Sequence, residues 1–246
     1  MKFWNLYRKD VSSNSFFLII ITFIILAWNI LFVSQSALWG GEITIIFNIF
    51  PLFFYPLMMF WLGIQSFRRE WHDGTMYFVL SLPESGWQIN GIKLLANLTC
   101  YIFISLISLF IIFVFYSDLI RRGVSIIPYR YMSVEIFIKL YLYYILIGLQ
   151  LYILSQFSYL VSRFVSRFRG LVTIVVFIFT FIFYNIFSNL LTPLFNWAPD
   201  FIFSGLTYNY QISLFHNTSA GLLANVVVLL LIFLTGSFLI KNYLEV

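Results

Sequence analysis

The acidic residues are the first side chains to consider for chemistry, because carboxylates buried in apolar surroundings carry proton relays and acid–base catalysis. The chain has nine of them. None falls in the middle of a long apolar run; they are Asp10, Glu42, Glu70, Asp73, Glu84, Asp118, Glu135, Asp200 and Glu245. This distribution argues against a proton-driven secondary transporter and against an intramembrane aspartyl protease.

Metal and nucleotide chemistry are equally hard to place on this sequence. The two histidines, His72 and His216, are far apart, and the single cysteine, Cys100, excludes an internal disulfide or a cysteine–metal cluster. There is neither an HExxH zinc motif nor a GxxxxGKS/T phosphate-binding loop. We therefore expect no catalytic, cofactor-binding or metal-binding residues in this chain, and we predict that it is not an enzyme.

The composition indicates that the solvent of this chain is lipid. It is 62% hydrophobic, 22% aromatic and only 9% charged, with a mean hydropathy of +0.96. A soluble domain is about 25% charged, so this chain has too little polar surface to cover a globule in water. We predict an all-α integral membrane protein in which residues 1–246 form a single domain. The net charge of +5 fits basic cytoplasmic loops better than a nucleic-acid partner.

The apolar runs predict six membrane-spanning helices, since roughly 20 apolar residues are needed to cross the hydrocarbon layer. Their continuity favours helices over a barrel; the runs are residues 16–33, 43–64, 94–116, 134–161, 171–191 and 221–240. If both termini are cytoplasmic, ten of the fourteen Lys and Arg residues lie inside, with the pair Arg121–Arg122 as the conflicting signal. The sequence thus predicts cytoplasmic termini.

Two segments outside these runs also carry a pattern. The leader "MKFWNLYRKD" places aromatic and apolar residues at helical spacing among three basic residues. It predicts an amphipathic helix in the inner interface, with an aromatic flank of span one as the open alternative. Residues 192–219 are too apolar for a free loop, and they predict short helices that re-enter the outer leaflet before span six.

A few polar or helix-bending residues inside the spans are candidates for lining a pathway. Span two has Asn48, Pro51 and Pro56, which predict a kinked helix that either lines a pathway or bends for packing. Span four has Gln150 and Gln156. Polar side chains at this depth should face the bundle, and we expect hydrogen bonding between helices more than contact with a ligand.

Residues 65–93 form the longest inner connection, at 29 residues, and contain "REWHDGTMYFVLSLPESGWQINGIK". A charged stretch leads to Gly74 and Thr75, then to an apolar run that ends at Pro83. We predict a helix over 75–82, which Asp73 or Thr75 can cap, and a second helix from about Gly86 into span three. The first helix is so apolar that it must press on lipid, on its own bundle or on another protein.

This segment resembles the one that follows span two in the ABCG-like class of ABC exporter permeases, which includes bacterial drug, polysaccharide and lantibiotic-immunity permeases. The shared pattern is a Glu, a Gly-Thr pair, an apolar run ending in Leu-Pro, and a Gly-x-Lys opening span three. In this sequence those residues are Glu70, Gly74, Thr75, Leu82, Pro83, Gly91 and Lys93. His72 and Asp73 are not part of that pattern, and Glu84-Ser85-Gly86 replaces the more usual Val-Ser-Arg.

The resemblance implies a permease subunit of a bacterial plasma-membrane exporter that moves an amphiphilic cargo such as an antimicrobial peptide or a drug. A separate cytoplasmic P-loop ATPase would bind ATP and Mg²⁺, and a second permease, identical or related, would complete the path through the lipid. The helix over 75–82 would couple the ATPase to the spans, and Glu70 and Lys93 would lock the hairpin to the bundle. The residues implied in coupling are Glu70, Asp73, Gly74, Thr75, Leu82, Pro83 and Lys93.

Two other functions remain open. In one, the chain is a non-transporting membrane scaffold or sensor whose 65–93 hairpin recruits a cytoplasmic regulator. In the other, it is an independent channel or lipid scramblase that works with no ATPase. From the residues alone, the pattern favours the charged part of the hairpin as the solvated inner rim of the bundle.

Overall fold

The computed structural model describes residues 2–39, 41–80, 85–121, 134–165, 167–198 and 219–242. Within these ranges the chain is helical and contains no β-strand, as predicted. The α-helices are α1 (Lys2–Ser34), α2 (Ser36–Trp39), α3 (Gly41–Ile49), α4 (Phe54–His72), α5 (Met76–Leu80), α6 (Gly86–Arg121), α7 (Val134–Ser162), α8 (Arg169–Leu191) and α9 (Ser219–Asn242). Two 3₁₀ turns, Phe50–Phe53 and Thr192–Phe195, follow α3 and α8.

Among the described residues, five stretches of helix are long and apolar enough to cross a membrane; they are Phe47–His72, Gly86–Val114, Ile138–Ser162, Arg169–Phe195 and Ser219–Ile240. Helix α1 adds a sixth if its two parts, Trp4–Phe16 and Ile19–Ser34, which meet at 41°, form one bent span. By length and composition the chain is therefore a multi-pass helical membrane protein, with five or six candidate spans in the part that the structure describes.

The predicted boundaries agree best in the C-terminal half, where α7, α8 and α9 cover the last three predicted spans. The helix predicted from Gly86 and the third span are one unbroken helix, α6. The leader is likewise continuous with the first span in α1. The described part of the predicted coupling helix is α5 (Met76–Leu80), and residues 81–84, which include the predicted end of that helix, lie outside the described residues. Residues 199–218, which include most of the predicted re-entrant segment, lie outside the described residues.

The chain divides into two compact units, Met1–Met59 with Ile92–Met132, and Phe60–Gly91 with Ser133–Val246. In the first unit, polar side chains join the N-terminal part of α1 to α6. The pairs are Tyr7–Thr99 at 3.0 Å, Asn14–Asn97 at 2.9 Å and Lys93–Asp10 at 3.7 Å. The three α1 residues share one helical face, so the leader is docked onto α6 by hydrogen bonds. The expectation of a single domain stays a prediction.

The first unit also contains the predicted bend of span two. Pro51 lies in the first positions of the 3₁₀ turn Phe50–Phe53, between α3 and α4. Because proline has no N–H, it cannot donate to the Phe47 carbonyl four residues earlier. The indole N–H of Trp28 donates to that oxygen instead, at 2.9 Å. A side chain of α1 therefore satisfies a backbone acceptor that the proline would otherwise leave open in lipid.

In the second unit α7, α8 and α9 pack together and the C-terminal part of α4 lies against α7. Gly63 makes the α4–α7 approach possible, because a Cβ there would lie 2.1 Å from the Ser155 hydroxyl and 2.6 Å from the Tyr152 carbonyl oxygen. Small residues at crossings let helices in lipid come close enough to pack. The hairpin that leads from α4 through α5 to the start of α6 belongs to this same unit.

Candidate functional site

Gly74 lies just after the end of α4 and turns the chain towards α5. Its φ of +69° is left-handed, a conformation that glycine adopts without a Cβ penalty. The N–H of Thr75 donates to the carbonyl of Glu70 at 3.0 Å, and that of Gly74 to the carbonyl of Trp71 at 3.4 Å. This pair of bonds is a Schellman motif, which satisfies two of the carbonyls left open at a helix C-terminus. The Gly-Thr pair therefore fixes the direction of the chain after α4.

Glu70 and Thr75 are joined by their side chains as well. The Thr75 hydroxyl donates to Glu70 Oε2 at 2.5 Å, and Glu70 is buried. A buried carboxylate is costly unless it accepts hydrogen bonds, so this bond ties the start of α5 to the last turn of α4. Thr75 also provides the first acceptor of α5, since its carbonyl accepts from the N–H of Val79 at 3.1 Å.

Helix α5 presents two different faces. Met76 and Val79 are buried in an apolar cluster whose other members come from α4, α6, α7 and α9; they are Phe67, Ile89, Tyr159, Leu160 and Ile240. On the opposite side Tyr77 is 79% exposed and Phe78 is 68% exposed. The sequence predicted that this helix contacts lipid, its own helix bundle or another protein. In the structure one face of α5 packs on the bundle, and the opposite, aromatic face is exposed.

The far arm of the hairpin begins with Ser85, which caps α6. The Gln88 side chain accepts from the Ser85 N–H at 2.9 Å, and the N–H groups of Gln88 and Ile89 donate to the Ser85 carbonyl. This is the reciprocal half of an S-x-x-Q capping box. Farther along α6, Asn90 donates to the Ser237 hydroxyl of α9 at 2.9 Å. Both arms of the hairpin are therefore hydrogen-bonded to fixed elements of the second unit.

The structure brings some of the predicted coupling residues together and leaves others elsewhere. Glu70, Gly74 and Thr75 form one hydrogen-bonded corner. Asp73 is exposed, and its carboxylate lies 3.2 Å from the imidazole of His72. Lys93 belongs to the first unit, where it is buried beside Asp10. Leu82 and Pro83 lie outside the described residues.

The candidate pathway residues of span two differ in their surroundings. Pro51 produces the 3₁₀ turn, whereas Pro56 lies in the first turn of α4, where a missing N–H costs little. Asn48 is buried, and its side-chain oxygen has no hydrogen-bond partner. The same is true of the side-chain oxygen of Asn29 on α1. These two amides are polar groups that packing alone does not explain.

The glutamines of span four also separate into two roles. Gln156 is buried and donates to the Ser66 hydroxyl at 3.1 Å and to the Tyr152 hydroxyl at 3.2 Å, so it joins α7 to α4. Gln150 lines a cavity of about 30 Å³ between α7, α8 and α9, which is enough for a water molecule. The other lining residues are Tyr143, Leu146, Ile147, Tyr184, Leu222, Asn225, Val226 and Leu229.

The cavity is a polar position in an otherwise apolar bundle. Gln150 and Asn225 carry primary amides, and Tyr143 and Tyr184 carry hydroxyls. Ser188 of α8 contacts the Asn225 side-chain oxygen at 2.5 Å, which holds that amide in place. No residue that lines the cavity is charged. The site can therefore exchange hydrogen bonds with a neutral polar group and offers no ion pair.

Comparison with known proteins gives this site no precedent: no protein-family model, no curated protein and no solved structure matches the chain. Among the described residues, no group of three or more His, Cys, Asp or Glu side chains could hold a metal ion. The interpretation of the hairpin therefore rests on its geometry.

Proposed function

We propose that this chain is the membrane subunit of an ATP-driven exporter and that a separate ATPase subunit docks on α5. The observation that carries the proposal is the division of α5 into an anchored face and an open face. Met76 and Val79 are buried in the bundle, while Tyr77 and Phe78 stay exposed beyond the end of α4. Exposed aromatic side chains are typical anchors for a protein partner.

The anchored face is suited to passing on a force. Burial of a Met or Val side chain contributes about 1.5–3 kcal/mol, and α5 is held by two such side chains and by the Glu70–Thr75 bond. A partner that pulled on Tyr77 and Phe78 would therefore move α4 with α5 instead of peeling α5 away. Rigid-body motion of packed helices is a common way to transmit closure of one domain to another.

The remaining parts of the proposal follow from the resemblance of the hairpin to the ABCG-like permeases. The cargo would be an amphiphile such as an antimicrobial peptide or a drug, exported across a bacterial plasma membrane. A second permease, identical or related, would complete the path.

Docking can be tested by photo-crosslinking at the open face of α5. A photoreactive amino acid at Tyr77 should capture, in the native membrane, a protein that contains a GxxxxGKS/T loop. The matched control is the same substitution at Phe179, an aromatic residue of α8 that is 69% exposed within a membrane-spanning stretch. Capture of the same protein from both positions, or of no P-loop protein from Tyr77, would contradict the proposal.

Coupling can be tested at the corner that joins α4 to α5. In the reconstituted complex, Glu70→Ala and Thr75→Val should leave the ATPase bound but lower cargo-stimulated ATP hydrolysis several-fold, because either variant removes the hydrogen bond between the two side chains. Asp73→Asn is the control, since Asp73 is exposed and next to the same corner. Unchanged stimulation in both corner variants would count against coupling.

A third measurement separates the exporter from the alternative of a scaffold or sensor. Vesicles that contain the complex should accumulate a fluorescent amphiphile after ATP addition, and the Tyr77→Ala/Phe78→Ala variant should not. Binding of a cytoplasmic protein at α5 without any movement of solute would favour the scaffold. Movement of solute or lipid with no ATPase present would favour a channel or scramblase.

A further inference from the structure

Arginines collect in the second unit where α4 ends and where α7 gives way to α8. Arg68 is one turn before the end of α4, Arg163 directly follows α7, Arg169 opens α8, and Arg167 lies between them. Within the described part of the chain, none of these four makes an ion pair. Arg68, Arg163 and Arg169 all lie within range of electrostatic interaction with the Tyr159 hydroxyl.

Arg163 is held in a fixed orientation at the centre of this cluster. Its guanidinium carbon lies 4.5 Å from the centroid of the Trp71 ring and 4.8 Å from that of the Tyr159 ring. It also donates to the Tyr159 hydroxyl. The Nε of Arg163 is buried and has no hydrogen-bond partner. A guanidinium placed in this way is pre-organised for an oxyanion, because its planar fork matches the geometry of phosphate.

Exposed apolar side chains alternate with these charges. Phe164 is 52% exposed and Phe168 is 80% exposed. Phe168 has a φ of +56°, which is unfavourable for a bulky residue by about 1–2 kcal/mol. The turn therefore holds Phe168 outward against its backbone preference. Alternating arginine and aromatic residues are typical of segments that lie in a membrane interface.

The position of the cluster points to lipid as the source of the anion. Three membrane-spanning stretches end or begin here, at His72, Ser162 and Arg169. Side chains within a turn of those ends lie at the depth of lipid headgroups. Basic pockets between spanning helices at this depth attract anionic headgroups. A soluble phosphate compound would gain from the arginines but not from Phe164 and Phe168.

We propose that Arg68, Arg163 and Arg169, together with the adjacent Arg167, bind the phosphate of an anionic phospholipid, with Phe164 and Phe168 against its glycerol and acyl region. The site is independent of the exporter function, because it requires neither an ATPase nor a cargo. The phosphate of the bound lipid would offset part of the positive charge beside the α4–α5 corner.

The test is lipid retention by the full-length protein. The protein is extracted from membranes of equal phosphatidylglycerol and phosphatidylcholine content, delipidated stepwise, and analysed by native mass spectrometry. The wild-type protein should keep phosphatidylglycerol preferentially. Arg167→Gln removes one positive charge and should lower phosphatidylglycerol retention about fivefold. Arg163→Gln should lower it further, because it also removes the guanidinium that is stacked on Trp71 and Tyr159.

The matched control is Lys139→Gln, which removes the same charge from the opposite end of α7 and should leave retention unchanged. Arg167→Gln keeps the test decisive if Arg163→Gln does not fold. Equal retention of the two lipids, or equal losses in Lys139→Gln and Arg163→Gln, would overturn the site. Displacement of phosphatidylglycerol by millimolar inorganic phosphate, without help from an acyl chain, would overturn its assignment to lipid.

Discussion

Helix α4 is interrupted at both ends, and the two interruptions are stabilised in opposite ways. At Gly74 the chain satisfies its own carbonyls, since the donors are the N–H groups of Gly74 and Thr75. At Pro51 the freed carbonyl of Phe47 depends on Trp28, a side chain of another helix. The interruption at Gly74 is stabilised by backbone hydrogen bonds within the turn and by the apolar cluster that contains Met76 and Val79. The second depends on one distant donor.

This difference indicates that the Gly74 end of α4 is rigid and that the Pro51 end can rearrange. The hairpin end has a saturated corner and the buried residues Met76 and Val79. The proline end lies next to Asn48, and the side-chain oxygens of Asn48 and Asn29 are buried without a partner. A turn whose polar groups are all hydrogen-bonded moves as a rigid unit and transmits a displacement. A buried polar side chain without a partner is instead stabilised when the surrounding side chains rearrange or are replaced. We therefore expect substitutions at the two ends to differ in size and even in sign.

The largest effect is expected at Gly63, which supports the hairpin end of α4. Gly63→Ala would place a Cβ 2.1 Å from the Ser155 hydroxyl and 2.6 Å from a backbone oxygen, so the α4–α7 crossing must open. We expect a loss of about 3 kcal/mol in the free energy of unfolding in mixed micelles. Gly91→Ala is the control, because a Cβ there meets nothing within 4 Å. Its effect should be neutral or stabilising, by up to about 1 kcal/mol.

The next effect is expected at the corner itself. Gly74→Ala forces a left-handed φ of +69° on a residue with a Cβ, so we expect a loss of about 1–2 kcal/mol in unfolding free energy. Gly74→Asn should lose less, since asparagine tolerates this region. Equal behaviour of the Ala and Asn variants would mean that the turn relaxes to another conformation and that the hairpin is softer than we infer.

Much of the fold was accessible from the sequence because the signals are local or periodic. The apolar runs predicted α7, α8 and α9 closely, whereas the second run was predicted to end at residue 64 and α4 continues to His72. The S-x-x-Q pattern of Ser85 and Gln88 was a readable capping signal that explains why α6 starts before the third predicted span. The pattern placed a short helix from about Gly86 ahead of a span that begins at residue 94, and the structure has both in one unbroken helix, α6. Asn90 and Asn97 of this helix make hydrogen bonds inside the protein.

The contacts that shape the candidate site were not accessible in the same way. Arg163 reads as one more basic residue at a span end, and only folding places it against Trp71. The cavity that includes Gln150 needs Asn225, which is 75 residues away in the chain. Pairings at such separations carry no local pattern, so residue type alone could suggest that Gln150 and Gln156 face the bundle but not which of them is free to bind.

A smaller effect is expected at the proline end, where a double-mutant cycle can isolate the indole bond. Trp28→Phe should lower the unfolding free energy by about 1 kcal/mol, because the Phe47 carbonyl loses its donor. In the Pro51→Ala background the new N–H can reach that carbonyl along the helix. Trp28→Phe should therefore cost less there. Additive losses in the cycle would show that Trp28 acts through ring packing against Phe50 instead.

The smallest effect, and the one of opposite sign, is expected for Asn48→Leu. The side-chain oxygen of Asn48 is buried without a partner, so an apolar side chain of similar size removes a desolvation cost and should change stability by about 0–1 kcal/mol in the favourable direction. Gln156→Leu is the contrast, because it breaks bonds to Ser66 and Tyr152 and should lose about 1–2 kcal/mol. Unfolding in mixed micelles measures both. If Asn48→Leu is destabilised as much as Gln156→Leu, the proline end is as saturated as the hairpin end, and the contrast between them fails.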